Sequence, residues 1–143
     1  MKHPFDFGDQ VRLNRDIYND GTYPGEASGN LLVTRGTIGY VRDIGYFLQN
    51  EVIFSIHFLE ADRLVGCRER ELLHSDEAWV KNRFRLHDQV RLTLPLSIGE
   101  EEIAPQGHVS RITQVLPETD RIFYHIRHHE RLFRVAEEIL EPL

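Results

Sequence analysis

The segment FDFGDQVRL (Phe5 to Leu13) returns as FRLHDQVRL (Phe84 to Leu92), with Asp-Gln-Val-Arg-Leu identical at an offset of 79. In a chain of 143 residues, a repeat at that distance leaves room for two small domains built on one plan and for little else. Two further pairings extend it. GYVRDI (Gly39 to Ile44) answers to GHVSRI (Gly107 to Ile112), and IFSIHF (Ile53 to Phe58) to IFYHIR (Ile122 to Arg127). Each half then reaches an acidic-apolar turn, Glu71-Leu72-Leu73 and Glu138-Ile139-Leu140. The expected domains are residues 1 to 76 and 77 to 143. The stretch His74 to Asn82 joins them, with Ser75 capping a short helical turn.

Within each half the pattern is that of strands: short apolar runs rich in β-branched and aromatic residues, with glycines at their ends. Val52, Phe54, Ile56 and Phe58 alternate with Ile53, Ser55, His57 and Leu59, so the first set is expected to line a core. The strand that follows, Leu64 to Arg68, is expected to return through a turn at Glu60 to Arg63, with Leu59 opposite Leu64. Five short strands in such a span point to an all-β fold of two tandem small, partly open SH3-like barrels, since closure protects sheet edges. The acidic-apolar turns fit the 3₁₀ turn that precedes the last strand of such barrels.

The glycines are unevenly spent. Gly21, Gly25, Gly29, Gly36, Gly39 and Gly45 crowd one stretch, and 26 residues separate Arg12 from Gly39 whereas 15 separate Arg91 from Gly107. The second half lacks the insertion, so the segment IYNDGTYPGEASG is not needed to complete the fold. Asn19-Asp20-Gly21 offers positive φ and Pro24-Gly25 suits the centre of a type II turn. The expectation is a shaped loop presenting Tyr18 and Tyr23, because binding residues concentrate on loops held by rigid scaffolds.

The residues from Arg15 to Leu73 resemble the NifZ family of nitrogen-fixation accessory proteins. NDGTYPG, LLV.RG..GYVRD.G.FLQ, the HF that ends the next strand and VGCRE.EL carry the resemblance. It covers residues 4 to 73, while residues 83 to 143 match weakly and are read from the internal repeat. The resemblance implies a non-enzymatic, chaperone-like factor in maturation of the nitrogenase molybdenum-iron protein, chiefly in forming its iron-sulfur P-clusters. The implied partner is the immature molybdenum-iron protein. Tyr23, Pro24, Arg35, Tyr40, Arg42, Tyr46 and Phe47 are the expected docking residues, since arginines and exposed aromatics most often anchor interfaces.

The remaining chemistry is sparse. No serine sits in a G-x-S-x-G elbow, and no Walker-type loop is present, so no catalytic residue and no cofactor are expected. Cys67 is the one thiol and the only weak metal candidate. A single thiolate cannot hold an iron-sulfur cluster, and its strand position reads as core. HIRHH (His125 to His129) is the one dense histidine group. His125 and His129 share a face with Arg127 between them, so the group reads as solvated strand-end residues with no metal. The Glu100 to Glu102 run reads as an acidic loop. A net charge of −6 disfavours nucleic acid as a general partner. The alternative classes are a KOW-like RNA-binding module, using Arg12, Arg15, Arg35 and Arg42 beside Tyr23, Tyr40 and Tyr46, and an accessory barrel subunit of an enzyme complex. No run reaches the length of a membrane span and the N-terminus lacks a signal-peptide core, which makes the cytoplasm the expected location.

Overall fold

The computed structural model describes residues 4–47, 51–118 and 120–143. It divides into two compact units, Met1–Ala78 and Trp79–Leu143. The first contains β1 (Gln10–Leu13), β2 (Ile17–Tyr18), β3 (Leu31–Val33), β4 (Ile38–Phe47), β5 (Glu51–Phe58), β6 (Arg63–Cys67) and β7 (Leu72–His74). The second repeats the plan with β8 (Gln89–Leu92), β9 (Leu96–Ile98), β10 (Glu101–Ala104), β11 (Val109–Pro117), β12 (Ile122–His128), β13 (Arg131–Ala136) and β14 (Leu140–Pro142). The expectation of an all-β chain holds. A 3₁₀ turn, Glu69–Glu71 in one unit and Glu137–Ile139 in the other, leads into each last strand.

The sheets are not closed into barrels, so of the expected partly open SH3-like barrels the structure shows the all-β plan. In the first unit the hydrogen-bonded order is β6-β5-β4-β1-β7, and in the second β13-β12-β11-β8-β14. Among the described residues no ladder joins the two outer strands of either sheet. The 3₁₀ turn carries the chain around from β6 to β7, and β7 then pairs with the free side of β1. Each unit adds a two-stranded hairpin, β2-β3 or β9-β10. Between the units the expected helical turn is absent: residues 75–77 form a turn in which His74 N–H donates to Glu77 Oε1 at 3.0 Å.

The registers revise the repeat. Gly36 N–H donates to Leu13 C=O as Gly107 N–H donates to Leu92 C=O, and Val11 opposes Gly39 as Val90 opposes Ser110. Gly107 therefore corresponds to Gly36, not Gly39, and both take positive φ, +92° and +86°. Gly39 has its own reason: a Cβ there would stand 2.5 Å from Ile56 Cγ2 and 2.8 Å from Phe58 Cδ1. Likewise Ile56 opposes Val41 as Ile126 opposes Ile112, so Phe54 corresponds to Tyr124.

Each unit has its own core. The first gathers Phe5, Val11, Leu13, Val41, Phe54, Ile56, Phe58 and Cys67, with Val52 half-buried against them. The second gathers Phe84, Val90, Leu92, Ile112, Tyr124, Ile126 and Val135. The Tyr124 hydroxyl donates to Glu137 Oε2 at 2.6 Å and accepts from Phe84 N–H at 3.2 Å. A phenol in a core needs such partners.

Candidate functional site

The insertion is the β2-β3 connection, and one side chain organises it. Asn19 is 3% exposed. Its Nδ2 donates to the carbonyls of Tyr23, Glu26 and Ala27 at 3.2, 2.9 and 3.3 Å. Its Oδ1 accepts from the N–H groups of Gly21 and Tyr23, both at 3.0 Å. Its backbone pairs with Asn30 and Gly29. Asn19 was expected to supply a turn conformation; the structure makes it the hub around which residues 20–30 wind. Asp20 Oδ1 accepts from Thr22 N–H and Oγ1, which holds its carboxyl below the usual range. Gly25, at φ +85° after Pro24, takes the type II position that the sequence indicated.

The loop is then fastened to the sheet. Arg63, at the start of β6, reaches Glu26 at 2.8 Å, and its guanidinium lies 5.4 Å from the Tyr23 ring centroid. Asn30 Nδ2 donates to the same carboxylate, and both contacts lower the Glu26 pKa. Between this loop and the outer strand β6 runs a groove of about 630 Å³. Tyr18, Tyr23, Pro24, Ile53, Leu64 and Arg68 line it. Leu64 is 55% exposed, and Arg68 is held by an ion pair with Glu51. The Tyr18 hydroxyl and Arg63 Nη1 are buried without a hydrogen-bond partner among the described residues. Burial, with Asp16 nearby, pushes the Tyr18 phenol up to about 12, so it stays a donor.

The expected docking residues do not form one patch. Tyr23 and Pro24 border the groove. Tyr40 does not line it but stands on the outer face two strands from Leu64, in the row Gln10-Tyr40-His57-Leu64 set by strand register; Gln10 Nε2 donates to its hydroxyl at 3.0 Å. Arg42 is exposed beside the irregularity between Val41 and Asp43. Arg35 is a correction: it is 8% exposed and is turned to the segment that precedes β2. Its Nε donates to Asn14 C=O at 2.9 Å and its N–H to Asp16 Oδ1 at 2.7 Å. Tyr46 is exposed but opposes Val52, on the opposite face from Tyr40 and about 20 Å along the strand. The Phe47 side chain lies outside the described residues. Leu64, Arg63 and Arg68 were missed, although alternation along β6 marks Leu64 as outward and VGCRE includes Arg68.

The chemical candidates resolve as follows. Cys67 is fully buried and opposes Phe54, not Ile56 as expected, because the hairpin turns at Leu59 to Asp62. The shift of two residues keeps it on the core face. Burial pushes its thiol well above the usual range. In the other unit Val135 opposes Tyr124, the same place. His125 Nδ1 lies 3.1 Å from Gln114 Oε1, while His129 sits in the turn after β12 at φ +49°. Among the arginines considered for RNA, Arg12 donates to Gly36 C=O at 2.8 Å and Arg35 is buried. The acidic run starts the second strand of the β9-β10 hairpin, whose turn is Gly99-Glu100.

A NifZ domain model matches residues 2–74, which spans the loop, the groove and the whole sheet of the first unit. Protein NifZ of Azotobacter chroococcum mcd 1 is 40% identical over 143 residues, covering 98% of this chain and 90% of its own. The chain belongs to the NifZ family. Protein NifZ of Azotobacter vinelandii is 39% identical over the same shares, and that of Klebsiella pneumoniae 41% over 112 residues, 78% of this chain and 76% of its own. The chain is thus a nitrogen-fixation-associated protein. The Azotobacter alignments run through the second unit as well, so the likeness there is stronger than the motifs alone indicated. No solved structure matches. Among the described residues no helix is long and apolar enough to cross a membrane.

Proposed function

We propose that this NifZ family member is a non-catalytic accessory protein of the cytoplasm that docks on the immature nitrogenase molybdenum-iron protein and favours a conformation in which P-clusters form. The first unit is read as the docking module, on an SH3-like sheet whose strand order and 3₁₀ turn support that assignment. The observation that carries the reading is the groove between the loop and β6. It offers an apolar wall with an exposed Leu64 and, in the Tyr18 hydroxyl, a buried donor without a partner among the described residues. An extended client segment would cover the leucine and supply an acceptor. A buried donor left unmade costs about 1–3 kcal/mol, so satisfying it on docking contributes to affinity.

The test is the affinity of the full chain for P-cluster-deficient molybdenum-iron protein, measured for Leu64→Asp and Pro24→Ser with Tyr46→Ala as the off-site control. Binding is expected to weaken about tenfold or more for Leu64→Asp at an unchanged melting temperature, and to persist for Tyr46→Ala. Undiminished binding by both groove variants would sink this reading.

A further inference from the structure

The second unit places two histidines that are 20 residues apart in sequence side by side. His108 precedes β11 and His128 ends β12, and their facing nitrogens, His108 Nε2 and His128 Nδ1, are 3.1 Å apart. The rings meet edge to face, with centroids 4.6 Å apart and planes at 90°. Both are half-buried.

We propose that His108 and His128 form a two-histidine chelate for a divalent, imidazole-preferring cation of the zinc, nickel and copper class. The separation fits. With metal–nitrogen bonds of about 2.0–2.1 Å, two ligands of a tetrahedral ion stand about 3.3 Å apart and two cis ligands of an octahedral ion about 2.9 Å. Chelation requires each ring to turn about its Cβ–Cγ bond until both lone pairs meet at one point. The two nitrogens lie at hydrogen-bond distance, one donating to the other according to tautomer, and a cation would take the place of that shared proton between two neutral rings.

The pair also departs from the repeat. Thr37 C=O and His108 C=O accept the same strand bond, from Leu13 and Leu92 N–H. Phe58 corresponds to His128 by the register of β5 and β12. The first unit therefore holds a threonine and a core phenylalanine where the second holds two imidazoles. Among the described residues no group of three or more histidine, cysteine or carboxylate ligands converges, so water completes the coordination. Bidentate binding of this kind is labile, suited to transient cation binding and not to a structural centre. The expectation of no metal weighed the His125 to His129 run by itself, whereas the decisive partner comes from the β10-β11 turn.

The experiment is calorimetric titration of the full chain with zinc, alongside nitrogen-detected NMR of the histidine rings. One zinc per chain is expected, with micromolar affinity that falls about tenfold or more in His108→Gln and in His128→Gln and is kept in His125→Gln. In the unaltered chain, His108 Nε2 and His128 Nδ1 should shift on titration while the rings of His57 and His125 stay in place; this readout needs no variant to fold. Zinc binding that leaves those two nitrogens unshifted, or no saturable binding, overturns the proposal.

Discussion

At the scale of the residue, Asn19 shows what a buried amide can do when every bond stays local. Its three Nδ2 contacts and two Oδ1 contacts all end within residues 21–27. Removing it takes the partner from several partly buried peptide groups at once. Asn19→Ala is expected to lower unfolding free energy by about 2–4 kcal/mol, read from urea denaturation, and Asn19→Asp should fare little better because a carboxylate has no N–H to give. The loop's turn residues were legible, since glycine and proline act through their own φ. The hub was not, because asparagine at a turn ordinarily bonds its own backbone two residues on, and only the folded chain shows that it reaches eight. Arg35 was misread for a related cause. An arginine in a turn reads as surface, yet here the planar guanidinium joins the segments on either side of the β2-β3 hairpin by way of Asn14 C=O.

The element scale turns on register. The sequence alternation in β5 correctly assigned its faces because a period of two needs no partner. Pairing between strands was harder. The β5-β6 hairpin was displaced by two residues, which preserved the core position of Cys67, whereas the repeat alignment of β5 with β12 was displaced by one, which matched Phe54 with Phe123 in place of Tyr124. An odd shift exchanges faces, and matching letters concealed it. The place shared by Cys67 and Val135 gives a direct check. Cys67→Val is expected to change stability by less than about 1.5 kcal/mol. In the native protein at pH 8, iodoacetamide should leave Cys67 unmodified, since its thiol is buried and its pKa raised; labelling should be complete in urea. Fast alkylation of folded protein, followed by mass spectrometry, would contradict the burial.

For the whole molecule, the separate cores of the two units carry a consequence for stability. Residues 1–78 contain a five-stranded sheet, the hairpin, the loop and the groove. That segment is expected to unfold cooperatively by itself, with a free energy of about 5 kcal/mol, and to retain the affinity of the full chain for the client. A fragment that shows no thermal transition by circular dichroism would make the second unit a required partner. The division into two similar units was legible from the pentapeptide repeat, while the extent to which each sheet closes was not, because strand count does not fix whether the outer strands meet.

The β2-β3 loop has a further meaning when the two units are set side by side. One turns its hairpin with Gly99-Glu100, and the other uses residues 19–30, yet both deliver the chain to the same glycine and the same strand bonds. A segment whose shape is written in its own amide places few demands on the frame that carries it. Such a segment is a removable part: in the descent of a duplicated sheet it can be acquired by one copy and left out of the other, so novelty in recognition arrives without renegotiating the architecture.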